Sequence, residues 1–223
     1  MRPLTGELLF EAWERGANAP YHTLALSMLA SACPKRGWDE LADLSIAERD
    51  GELLRLRAMT FGDRLGGCLP CEACGARLEF EVAVSFLIEN LRSAPALQAH
   101  TMRRATSRDL AAVRSSPDPR RALLMRCLSS DAGEDFSEET AAEQFNRINE
   151  DAEIRLALPC PVCSAMQHTV LDIVRFFWAE LRHAVKKLLQ EVHELASAYG
   201  WSEQSILSMN PARRAIYLDL ARP

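Results

Sequence analysis

The most extended periodic pattern in the chain is a wide apolar stripe near its carboxy end. Phe176, Phe177, Leu181, Val185, Leu188, Leu189, Val192, Leu195 and Ala196 hold helical spacing, with Lys186 and Lys187 largely off the stripe. The pattern predicts a long helix from near Asp172 to about Tyr199, with Gly200 as its left-handed C-cap. A stripe this wide calls for two packing neighbours or a partner chain. Beyond it, Ser202 caps a short helix holding Ile206 and Leu207, and Asn210-Pro211 opens a last helix carrying Ile216, Tyr217 and Leu220.

The amino-terminal third is also helical in pattern. Thr5 is placed to cap a first helix with Leu8, Leu9, Ala12 and Trp13 on one side and Gly16 at its end. After Pro20, the nearly continuous apolar run Leu24, Leu26, Met28, Leu29 predicts a buried second helix, stopped at Cys33-Pro34. A short helical turn over Trp38 to Leu44 follows. Ser45-Ile46-Ala47-Glu48 then has the form of a capping box. It starts a helix that points Ile46, Leu53, Leu56 and Met59 at a core and closes at Phe61-Gly62.

The middle of the chain switches period. Arg77 to Val84 alternates, with Leu78, Phe80, Val82 and Val84 on one face, as a half-buried strand does. Phe86 to His100 has no clear period. Thr106-Ser107-Arg108-Asp109 reads as a helix start, with a break over Ser115 to Pro119 and a second helix from about Arg120 to Leu128, bearing Leu123, Leu124 and Cys127. Residues 129–153 are strongly acidic, including Asp131, Glu134, Asp135, Glu138, Glu139, Glu143 and Glu150 against Arg147 alone. Ser137 caps a helix there with Phe145 and Ile148 as anchors. The stretch reads either as a solvated connector or as an acidic face for a basic partner. Ile154, Leu156 and Leu158 form a strand, and Met166 to Asp172 its return.

Both strand regions flank the same hexapeptide. Leu69-Pro70-Cys71-Glu72-Ala73-Cys74 and Leu158-Pro159-Cys160-Pro161-Val162-Cys163 are two copies of LPCxxC. Two residues between cysteines let a tight turn aim both sulfurs at one ion. Cys71, Cys74, Cys160 and Cys163 thus make the ligand set of a closed structural zinc site, one zinc per chain. The stretch between the pairs far exceeds the usual gap of roughly 15–20 residues, which implies a ribbon split by an insertion. Cys68 and His168 are the alternative ligands, and Cys71 and Cys74 are preferred over Cys68 because they match the register of the second copy. Cys33 and Cys127 lie in apolar helical contexts and read as small buried hydrophobes. Disulfides are the competing use of the cysteines. An odd total of 7 cysteines and an amino terminus without the apolar core of a signal peptide argue against them, and the expectation is a cytoplasmic protein.

Composition narrows the function classes. A net charge of −5 gives bulk charge no role in holding nucleic acid. Arg103, Arg104, Arg108 and Arg114 are the phosphate contacts available to a nucleic-acid-binding or transcription-associated ribbon, the alternative function. GDRLGG, Gly62 to Gly67, lacks the Lys-Ser/Thr ending of a phosphate loop, and no hydrolase or metalloprotease motif is present. His183 and His193 are too far apart along one helix to share an ion.

Two phrases carry a family likeness. One is Leu195-Ala196-Ser197-Ala198-Tyr199-Gly200-Trp201-Ser202-Glu203, followed by Ile206-Leu207 and Arg213-Arg214-x-x-Tyr217-Leu218. The other is Leu44-Ser45-Ile46-Ala47-Glu48-Arg49-Asp50, with Leu53-Leu54-x-Leu56-Arg57 and Phe61-Gly62 ahead of a CxxC. Together they resemble small baseplate and hub-associated proteins of contractile-tail phages and phage-like contractile injection systems. The resemblance implies a non-enzymatic protein whose partners are other baseplate, hub or tail proteins, with no catalytic residues, no small-molecule substrate and a place in a phage-like particle. The expected fold is mainly α with a small β zinc ribbon of two CxxC knuckles interrupted by a helical insertion. Its parts are a helical domain over 1–66, ribbon halves over 67–86 and 153–172, an insertion over 87–152 with the acidic connector, and terminal helices over 173–223.

Overall fold

The computed structural model describes residues 1–93, 102–129 and 137–222. Over these residues the chain is mainly helical, with two separate two-stranded antiparallel sheets. The parts of the expected acidic run at Asp131, Glu134 and Asp135, and all of residues 94–101, lie outside the described residues.

Four helices come first: α1 (Glu7–Ala17), α2 (Tyr21–Ala32), α3 (Trp38–Ala42) and α4 (Ile46–Phe61). Two expected boundaries move. Thr5 does not cap α1; the N-cap is Gly6 at φ 55, with no side-chain cap. Gly16 does not end α1 either. It lies inside the helix, where a Cβ would stand 2.6 Å from the Trp178 ring, so its bareness lets α1 touch the carboxy-terminal long helix. The capping box at Ser45 and Glu48 is present, and Gly62 turns the chain out of α4 at φ 94. Met59, expected inward, is 47% exposed. The inward position of that turn belongs instead to Arg57, which is buried.

Two hairpins and the insertion follow. β1 (Arg64–Pro70) pairs with β2 (Arg77–Ala83), and α5 (Val84–Ser93) leaves directly from β2. β1 has no apolar alternation to announce it, because Gly66 and Gly67 occupy its centre. Gly67 lies under the Phe80 ring, 2.7 Å from where its Cβ would be. Val84 opens α5 instead of ending the strand. Asp63 fixes that turn, accepting bonds from Ser85 N at 2.8 Å and Ser85 Oγ at 2.9 Å. Then come α6 (Ser107–Val113), α7 (Pro119–Cys127), α8 (Glu138–Ile148), β3 (Arg155–Pro159) paired with β4 (Met166–Val170), α9 (Ile173–Tyr199), α10 (Glu203–Leu207) and α11 (Pro211–Ala221).

The main core gathers Leu29, Leu53, Leu65, Leu87, Phe177 and Leu181, and so joins the amino-terminal helices, both hairpins and α9. A second core of Met102, Leu124, Cys127, Ala141 and Ile148 holds the insertion. Part of the acid-rich stretch is therefore an anchored helix: α8 buries Ala141 and Ile148 and turns its carboxylates outward. The insertion docks on the amino-terminal helices through polar contacts. Arg49 donates to Ser107 Oγ at 3.1 Å, and Arg108 donates to Asp43 at 2.7 Å and Asp39 at 3.0 Å. Asp109 is buried, and it caps α6 while accepting two bonds from Arg103. Desolvation would raise its pKa, but the Arg103 guanidinium and Thr106 outweigh burial and hold the carboxyl well below the usual range. A third small core, Leu195, Ile206 and Leu218, folds α10 and α11 back onto α9. The apolar residues of α11 divide: Leu218 is buried, while Ile216 is 60% and Leu220 70% exposed.

One buried cation ties the helices to the first hairpin. Arg57 donates to both carboxylate oxygens of Glu180 on α9, at 2.9 and 2.6 Å, and to the carbonyls of Gly62 at 2.8 Å and Arg64 at 2.7 Å. The two carbonyls mark the end of α4 and the start of β1. Arg57→Met strands a carboxylate and two carbonyls, and is expected to lower stability by about 3–4 kcal/mol in denaturant unfolding. A change below about 0.5 kcal/mol, the level of an exposed ion pair, would contradict this role.

Candidate metal centre

Each LPCxxC copy forms the loop of a hairpin, and the two loops have one backbone plan. In the first, Cys71 N donates to Ala76 O at 2.8 Å and Gly75 N to Cys71 O at 2.8 Å. In the second, Cys160 N donates to Ala165 O at 2.9 Å and Ser164 N to Cys160 O at 3.0 Å. The strand registers correspond as well: Leu69 faces Leu78 as Leu158 faces Gln167. The knuckle needs a left-handed residue after its second cysteine. Gly75 meets that need at φ 72, and Ser164 meets it at φ 59 with a side chain that disfavours it.

The hairpins bring their loops together. The sulfurs of Cys71, Cys74, Cys160 and Cys163 all lie within 4.8 Å of one another, and these four cysteines could hold a metal ion. Cys71 Sγ is 3.7 Å from Cys163 Sγ, and Cys74 Sγ is 3.8 Å from Cys160 Sγ. A disulfide needs about 2.0 Å. Four thiolates around a tetrahedral ion at about 2.3 Å stand about 3.8 Å apart, which these two pairs match. Cys71 and Cys160 are buried with Leu78 in a small apolar cluster, whereas Cys74 and Cys163 face solvent.

The protonation pattern has a physical reading. The backbone N–H groups of Cys163 and Val162 point at the Cys160 sulfur and hold that thiol down to about 6. At Cys74 the Ala76 amide favours the thiolate. The crowding sulfurs of Cys163, Cys71 and Cys160 outweigh it, and the thiol is pushed up to about 12. Four sulfurs this close cannot all ionise in the absence of a cation, and a divalent ion removes that conflict.

The other sequence candidates fall elsewhere. Cys68 and His168 lie on the outer, exposed faces of β1 and β4, away from the four sulfurs. Cys33 and Cys127 are buried in the helical cores, and burial raises both thiols, Cys127 to about 11. Gln167 was not anticipated. It is buried where the first hairpin has Leu78, and its Oε1 accepts from the Glu72 backbone N–H at 3.1 Å, linking one hairpin to the other's knuckle. A polar residue at an inward strand position was the available signal.

Two outcomes check the centre. Cys71→Ser or Cys160→Ser should remove bound metal, read by elemental analysis, and speed amide exchange across both hairpins, while Cys33→Ser leaves metal content unchanged. Equal metal loss in all three variants would refute the assignment. Ser164→Gly relieves the left-handed side chain and should raise stability by about 0.5–1 kcal/mol in thermal unfolding of the metal-loaded protein; a lowered midpoint would show that Ser164 contributes something besides strain. No family model, curated protein or solved structure matches this chain.

Proposed function

We propose that this chain is a non-enzymatic structural or assembly protein, stapled by one zinc ion in a split zinc ribbon. The observation that carries the reading is the four-sulfur cluster. Four thiolates fill the coordination of a tetrahedral ion and leave no open position for substrate, so such an ion holds chain segments together. The donor set is soft and has the spacing that zinc takes. No helix among the described residues is long and apolar enough to cross a membrane.

The finer assignment is to the baseplate or hub of a phage-like contractile injection system, and it rests on the two sequence phrases. Their residues have architectural roles. Ser45 and Glu48 cap α4. Gly200 ends α9 in the left-handed region, and Trp201 stacks on Tyr199 at 4.5 Å and meets Tyr217 edge-on at 4.8 Å. Residues that shape helix junctions fit a scaffold that joins other proteins. The nucleic-acid reading loses support, because Arg103 and Arg108 are engaged by Asp109, Asp43 and Asp39.

The exposed pair Ile216 and Leu220 on α11 is the surface assigned to the partner. Ile216→Asp with Leu220→Asp should abolish co-purification of baseplate or tail proteins from the native cell while metal content stays at one per chain. Persistence of those partners would remove α11 from the interface, and recovery of nucleic acid in their place would overturn the assembly reading.

A further inference from the structure

We propose that the trough between α1 and α10, floored by α9, is a docking groove for a basic amphipathic helix of a partner protein. The trough has a volume of about 1060 Å³ and opens to solvent along its length. Glu7 and Glu14 of α1 and Glu203 of α10 line its walls, and among the described residues none of the three has an ion-pair partner. Glu11 stands on the same wall and pairs with Arg15 at 2.7 Å. Among the described residues, Arg2 is the one basic side chain lining the trough.

The lining is apolar between the carboxylates: Leu8 and Trp13 from α1, Leu207 from α10 and Leu189 from α9. Leu189 belongs to the apolar stripe of α9 yet is 43% exposed, so that stripe is wider than the fold covers. A concave surface bounded by two helices over a third receives a convex rod better than a flat sheet. The charge sets which rod. Carboxylates along the rim select lysine and arginine flanking an apolar face, and repel an acidic helix.

The same geometry limits the basic stretch. Trp13 and Leu189 also border a second depression, lined by Arg182 and Lys186, where the sign reverses. Glu7 to Glu14 spans about two helical turns at 1.5 Å per residue. The occupant's basic segment is therefore about two turns long over α1, with neutral or acidic residues beyond it. Two copies of this chain do not fit trough to trough, because both surfaces are concave and both α1 helices acidic.

The inference rests on the reading of the chain as a protein-binding scaffold, but on a different surface from α11, so the two fail separately. The test uses the full metal-loaded chain and two labelled helical peptides, alike in a leucine face and differing in flanking lysine or glutamate. In fluorescence anisotropy at low salt, the lysine peptide should bind at least about tenfold tighter than the glutamate peptide. The triple variant Glu7→Lys, Glu14→Lys, Glu203→Lys should reverse that preference, and Leu189→Asp should weaken both peptides. Unchanged metal content and circular dichroism in each variant show that the fold persists. The proposal is overturned by absent binding of the lysine peptide, by equal binding to wild type and triple variant, or by a dimer that Leu189→Asp dissociates. Loss of partners in the Ile216 and Leu220 variant with peptide binding retained leaves the groove standing.

Discussion

A two-stranded hairpin buries too little surface to persist alone in water, and the described residues hold two of them, neither paired with the other by backbone bonds. What they share is a meeting of four sulfurs, from loops up to 92 residues apart in sequence. Each hairpin turns an inward face with Leu65 or Leu156 toward the helices and ends in a knuckle at the cluster. If the sulfurs are held at one point, the exits of both hairpins are fixed, and α5 and α9 leave from those exits. The helical core and the sulfur cluster therefore constrain the same two elements from opposite ends.

Buried polar groups complete the placement in a way that apolar packing alone does not. Arg57 reads three elements at once, and its donors are matched to a carboxylate and two carbonyls. Gln167 plays a smaller version of that part between the hairpins. Asp109 holds the entrance of the insertion, where it also satisfies Arg126 at 3.2 Å. Each such group is costly to strand, so each favours one arrangement over near alternatives. Most of the insertion's apolar residues form a second cluster, on which Ile46 of α4 packs, and the directional contacts of Arg49 and Arg108 add to that joint.

Much of this was legible in the residues. The long α9 stripe, the capping box at Ser45, the Gly200 stop and the cap–Pro pair at Asn210 gave helices where periodicity and caps agree. The four cysteines were legible because two copies of one hexapeptide had to adopt one turn. The misses share a cause: they depend on a distant neighbour. Gly16 looked like a helix stop until Trp178 occupied the space above it. β1 was hidden because glycines hold its centre, Gly67 leaving room for the Phe80 ring across the sheet. Arg57 and Gln167 are polar by type, and it is their partners that make them interior residues. The outward turn of Ile216 and Leu220 followed from Leu218 taking the inward place on α11.

The interval between the knuckles has a consequence for how the protein is made. Synthesis proceeds at roughly 5–20 residues per second. Cys71 and Cys74 therefore wait about 5–20 s for Cys160 and Cys163 to emerge, set by that rate and the separation of 92 residues between Cys71 and Cys163. Through that wait the first hairpin presents two thiols with half a coordination shell. The insertion's own core, complete once Ile148 has emerged, can form in the meantime and shorten the effective loop that must close. A segment that separates the ligands in sequence thus becomes, once folded, the part that brings them back within reach.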